Sequence, residues 1–176
     1  MTNSLTVIDQ GTTLDFTFAD ALRYHGPLAP GGVAHAYKVL ERALGVLGQD
    51  EPVERRELVV TTSHGGPGVR DTVELVTRAV TEGRYTVDGS LARPERGIAL
   101  ELYVFQIDYR DESVTLILRE GFVVDEFIEL SRTPSRSPEA EARLVVLKQE
   151  MTDRVMAQPA DEVYDVVPSG VIDPPQ

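Results

Sequence analysis

The chain contains no cysteine and only three histidines in 176 residues. Without cysteine there is no disulfide, no thiolate metal ligand and no cysteine nucleophile. Long apolar runs are missing too: nothing approaches the roughly 20 residues that a membrane-spanning helix needs. The first residues, Met1 to Gly11, offer neither a basic region nor an apolar stretch, so no signal peptide is expected. Positive charge is scarce, with 17 Lys and Arg against 29 Asp and Glu and a formal net charge of -12. Such a surface repels phosphate backbones, which argues against nucleic acid as a partner and leaves a neutral or cationic small molecule, or a protein. These absences together suggest a cytoplasmic protein with no membrane partner.

What is present suits one domain with one core: the length is right, and 41% of the residues are hydrophobic. A short helix is expected from Thr17 to Tyr24, then a loop at His25 to Gly32, where two prolines and three glycines disfavour regular structure. Val33, Ala36, Tyr37, Leu40, Leu44 and Leu47 recur at the helical period and predict a long helix with one apolar stripe, stopped near Gly48. His35 falls opposite that stripe and is expected to face outward. Leu58–Thr62 reads as a strand, and a second helix should run from about Val69 to Val80. Ile98, Leu100, Leu102 and Val104 alternate with other residues as in a half-buried strand, Ser113–Arg119 follows as its hairpin partner, and Tyr103 and Phe105 fall on the strand's second face. A last helix is expected over about Glu139–Met156. The order of elements argues for an α+β fold, with helices packed on a small mixed sheet.

Two segments carry candidate chemistry. Tyr24-His25-Gly26-Pro27-Leu28-Ala29-Pro30-Gly31 runs into a helix start, where unpaired backbone N–H groups attract anions and polarised oxygens. His25 there would bind a metal, transfer a proton near neutral pH, or simply pin the loop through a hydrogen bond. Ser63-His64-Gly65-Gly66-Pro67-Gly68 links a strand to the next helix, with Arg70 and Asp71 just beyond. It is not a nucleotide loop, because the Gly-Lys-Ser/Thr ending is missing. If both loops converge, His25, His64 and Asp71 make a facial ligand set for a first-row metal with His25 and His64 as its imidazoles. The alternatives are a metal-free acid–base site, or a structural role in which Asp71 caps its helix and the glycines make a tight turn. Tyr24, Gly26, Gly31, Gly66 and Arg70 would line the same pocket, Arg70 by meeting a substrate carboxylate.

The first string resembles the signature of the formylmethanofuran dehydrogenase E-subunit family, an aromatic-His-Gly-His-x-Cys-Pro-Gly run opening a long helix. His25, Gly26, Leu28, Pro30 and Gly31 match it. Pro27 stands at the second His, Ala29 at the Cys, and Gly68 at a further Cys before the Asp71 helix. The likeness spans about Phe16 to Val167, with residues 168–176 as an extended tail on a single domain of residues 1–176. It implies a fold like the catalytic domain of glyceraldehyde-phosphate dehydrogenase, with helices on one side of a mixed four-stranded sheet, and a homodimer. As to function, it implies an enzyme of this family's type, acting on a small polar or carbonyl compound through a divalent Zn, Fe or Ni ion or through His acid–base catalysis. The alternatives are a non-catalytic ligand- or haem-binding module, or an accessory component of a larger complex.

Overall fold

The computed structural model describes residues 3–168, so the expected tail beyond position 168 lies outside the described residues. The chain opens with a hairpin that the sequence pattern does not announce. Strand β1 (Ser4–Asp9) pairs antiparallel with β2 (Thr12–Thr17). Both turn residues lie at positive φ, Gln10 at 51° and Gly11 at 87°, a turn whose twist matches that of paired strands. Gln-Gly is a weaker turn signal than Asn-Gly, and this hides the hairpin. A two-residue strand β3 (Val53–Glu54) adds to β1 in parallel, giving the order β2-β1-β3. Asp9 fastens the hairpin, meeting Arg55 at 2.6 Å and Arg56 at 2.8 Å.

The second sheet has five strands: β4 (Leu58–Thr62), β5 (Tyr85–Val87), β6 (Val104–Tyr109), β7 (Glu112–Leu118) and β8 (Tyr164–Val167), in the order β5-β4-β6-β7-β8. Only β4 and β5 run parallel, so the sheet is mixed, with one strand more than the four the resemblance implies. The strand expected from Ile98 starts instead at Val104. Gly97, at φ 88°, begins consecutive turns in which Leu100 N–H reaches Gly97 O and Tyr103 N–H reaches Leu100 O. These local bonds satisfy the backbone that a ladder would otherwise use. Leu58, Val60, Phe105, Ile107, Leu116 and Leu118 are fully buried on one face, while Val59, Gln106, Asp108 and Thr115 on the other are partly exposed.

Among the described residues six α-helices complete the fold, which is α+β: α1 (Phe18–His25), α2 (Pro30–Leu47), α3 (Pro67–Thr77), α4 (Asp125–Arg132), α5 (Pro138–Met156) and α6 (Ala160–Val163). Helix α1 is set by a capping box in which Thr17 and Asp20 satisfy each other's backbone N–H groups. Helix α3 stops at Thr77, three residues short of the expected end, because Arg78 turns left-handed. Helix α4 lies in a stretch for which the sequence pattern predicts no element.

Helix α2 departs most from expectation. It is buried almost all round. Tyr37 and Leu40 pack with Leu5 and Val7 of β1, whereas Ala36, Val39 and Ala43 pack toward the larger sheet. A helix enclosed on several sides shows no single stripe, so the wheel that turns His35 outward misplaces it: His35 is fully buried. Tyr103 and Phe105, expected to face away, also lie in this core, at 2% and 1% exposure.

The starts of α2 and α3 meet backbone to backbone. A Cβ added to Gly68 would lie 2.6 Å from Ala29 O and 2.9 Å from Val33 N, and one on Gly32 would lie 3.4 Å from the Gly68 Cα. Neither neighbour is a flexible side chain that can swing aside. Gly68→Ala should therefore lower stability by about 1–3 kcal/mol, as overpacking does. Gly45→Ala, at an exposed α2 position with nothing within 4 Å, should raise it by roughly 0.5–1 kcal/mol. Paired urea titrations check both signs.

Candidate functional site

The two segments singled out from sequence lie at the starts of α2 and α3, and part of the expected meeting occurs. His25 is the last residue of α1, where Gly26 at φ 85° turns the chain away. Its Nε2 accepts the Ala29 N–H at 3.1 Å, so the ring proton of neutral His25 sits on Nδ1 and is donated to Asp71 Oδ2 at 2.8 Å. The imidazole is only 3% exposed. The other Asp71 oxygen accepts from Arg70 Nε and Nη2, each at 3.2 Å. Asp71 thus bridges His25 and Arg70. It does not cap α3, whose N-cap is Gly66 with no side-chain cap bond.

His64 does not join them. Its ring folds back over its own loop, with Nδ1 accepting the Gly66 N–H at 3.1 Å, and packs 4.7 Å from the Tyr103 ring and 6.5 Å from Phe105. Gly66 is needed for this, because a Cβ there would fall 2.5 Å from the His64 ring. The other expected lining residues, Gly31, Tyr24 and Arg70, take separate places. A Cβ on Gly31 would strike the Met151 methyl of α5. Tyr24 is 52% exposed, and Arg70 is turned to Asp71 rather than to a pocket.

These residues do not fit the metal that the resemblance implies. Both His25 nitrogens are engaged by the protein, one His64 nitrogen is engaged elsewhere, and positions 27, 29 and 68 offer no donor side chain. Among the described residues, no group of three or more His, Asp or Glu is placed to hold an ion. The expected ligand set of His25, His64 and Asp71 is corrected accordingly: two of the three meet, through a hydrogen bond.

His64 belongs to a cluster that the sequence pattern does not reveal. The His35 ring lies 4.6 Å from the same Tyr103 ring, and its Nδ1 is 2.8 Å from the Tyr164 hydroxyl. His35 Nε2 is buried with no partner among the described residues. Burial pushes the His35 pKa down to about 3, with nearby His64 adding to the effect, and burial pushes His64 down to about 4. Burial also lifts the Tyr103 hydroxyl and raises Tyr164 well above the usual range. All four groups are neutral at pH 7. The available clue is the small flanks of His35, Ala34 and Ala36, which suit a helix pressed against neighbours.

Open space lies beside the first loop. A groove of about 520 Å³ runs between α1, that loop and α5, floored by Phe18, Leu22, Pro27, Pro30 and Met156. Arg23, Gln149, Thr152 and Asp153 supply its polar rim. Gly26 is the one expected site residue that lines it, and no histidine does. The groove therefore offers no imidazole to a haem iron.

With this geometry in view, a scan against protein-family models matches none, and a search of curated proteins finds no match. No helix among the described residues is long and apolar enough to cross a membrane.

The buried imidazoles make stability depend on pH. Unfolded histidines titrate near 6.5, above the folded values of about 3 and 4. Below pH 6.5 the unfolded state binds more protons, so stability falls as pH drops through that window and is fully present above it. The loss between pH 6.5 and 5 should be on the order of 2 kcal/mol per histidine. Urea midpoints over this range should fall less steeply in His64→Phe than in the parent protein, and an identical slope would remove His64 from the account.

Proposed function

We propose that the chain is a metal-independent small-molecule-binding protein akin to the formylmethanofuran dehydrogenase E-subunit family, taking its ligand in the groove between α1, the 26–30 loop and α5. The observation that carries this reading is the groove itself. Its volume of about 520 Å³ falls in the usual range for ligand pockets, and an apolar floor with a few convergent polar groups is their usual chemistry. The occupant it suits has an apolar body against Phe18, Leu22 and Met156 and a polar end within reach of Arg23 or Asp153. The homodimer that the resemblance implies and the expected cytoplasmic location remain part of the proposal.

A catalytic reading rests on His64 rather than on His25. His64 is half-buried and neutral at pH 7, and because Nδ1 accepts the Gly66 N–H its proton sits on Nε2. A neutral imidazole N–H is a donor suited to polarising a carbonyl oxygen, as oxyanion-stabilising groups do. With a pKa near 4 it is a poor general acid at neutral pH, since effective catalytic groups titrate near the working pH.

The two readings separate on two variants. Saturation-transfer NMR against a panel of small apolar amines, amides and acids should yield binders. Gln149→Trp, which fills the groove from an exposed position, should weaken them at least about tenfold, or 1.4 kcal/mol, while His64→Ala leaves them unchanged. Binding that survives Gln149→Trp would sink the groove as the site. Turnover of a carbonyl compound that vanishes in His64→Ala and persists in Gln149→Trp would favour the catalytic reading.

A further inference from the structure

We infer that the seam between the 26–29 loop and α3 is a metal-independent clasp, in which the hydrogen-bonded pair of His25 and Asp71 makes the cross-link that an ion would otherwise make. Three observations combine. The first is the donor inventory: Pro27, Ala29 and Gly68 occupy the positions to which the resemblance assigns ligands, and none has a group that can coordinate.

The second is how His25 is used. An imidazole ligates through a nitrogen lone pair, but the Nε2 lone pair takes the Ala29 N–H and Nδ1 carries the proton donated to Asp71. Ligation at either nitrogen would break one of these bonds inside a site where the ring is 3% exposed, leaving a buried polar group unpaired. Asp71 is similarly committed, one oxygen to His25 and the other to Arg70.

The third is space. Ala29 O lies where a Cβ of residue 68 would be, 2.6 Å from its ideal position. Side chains reaching toward a shared ion from positions 29 and 68 would need a gap, and the two backbones fill it. The clasp spans three helices: His25 ends α1, Ala29 is the N-cap of α2, and Asp71 lies in α3. His25 is on this account a structural residue and not a catalytic one. The inference does not depend on the groove reading, because Gln149 and the groove floor take no part in these contacts.

The test is a thermodynamic cycle together with a metal titration. Chelator-treated protein is titrated with Zn²⁺ alone, and separately with Ni²⁺, in competition with a chromogenic chelator. Neither ion should be taken up stoichiometrically, and the urea midpoint should be the same with chelator or with ion. His25→Ala and Asp71→Ala should each lower that midpoint, and the double variant should fall no further than the more damaging single one. His25→Gln, with one donor and one acceptor, should recover part of the loss. If His25→Ala does not fold, His25→Leu with Asp71→Ala supplies the cycle, since neither side chain can re-form the bond. Additive losses would show that the pair is not a unit and overturn the clasp. Uptake of one equivalent of either ion that is abolished in a His25 variant would overturn it as well.

Discussion

Gly68 lies against the Ala29 carbonyl with no room for a methyl group, and this contact between the starts of α2 and α3 governs much of the domain. Because the helices approach so nearly, α2 sinks into the middle of the domain, and its side chains must be apolar or satisfied on nearly every side. That is why one flank of α2 packs on the small sheet while another packs on the large one. It is also why the loop entering α2 is short and stiff, with Pro27 and Pro30 fixing its backbone and His25 tying it to α3. The groove beside this loop owes its shape to the same closure, since Pro27 and Pro30 form part of its floor.

The same contact decides what chemistry the two segments support. Helix starts that gather imidazoles and a carboxylate are inviting places for an ion or an anion, because the first N–H groups of a helix lack partners. Here the two imidazoles take the N-cap N–H groups of both helices. The Ala29 N–H goes to His25, the Gly66 N–H goes to His64, and the Ala29 carbonyl sits at the head of α3. Proximity of polar residues is therefore not enough to define a site; the lone pairs and N–H groups must also be free.

How much was legible in the sequence follows from which signals are local. The α+β class, β4, β7 and α5 rest on periodicity and turn residues, and these emerge close to where the pattern puts them, while β6 pairs with β7 as expected but starts six residues late. The meeting of His25 with Asp71 was legible as well, because both flank helix starts. His64 was not, since its direction depends on a hydrogen bond to Gly66 and on room above Tyr103, neither of which leaves a periodic trace. His35 is misread for a related reason. A helical wheel assumes one buried side, whereas α2 has several, so the polar residue on the apparent outer face is the most deeply buried histidine. The β1–β2 hairpin escapes notice because Gln10 adopts a positive φ that its side chain does not advertise.

His35 also shows where the fold carries a cost without an evident structural return. Tyr164 satisfies one ring nitrogen at 2.8 Å, but the other is buried and unpartnered among the described residues, an arrangement worth about 1–3 kcal/mol against folding. A residue of similar size without the second nitrogen would avoid that cost beside the Tyr103 and Tyr164 rings. What distinguishes His35 from such a residue is its position beside the Tyr103 ring that also carries His64. Charge on His64 disfavours charge on His35, adding to the effect of burial on the His35 ring. Burial keeps His64 neutral, and a neutral His64 holds its Nδ1 free to accept the Gly66 N–H that shapes the loop into α3. The buried His35 and the glycine-rich loop thus pack on the same tyrosine ring, His35 at 4.6 Å and His64 at 4.7 Å.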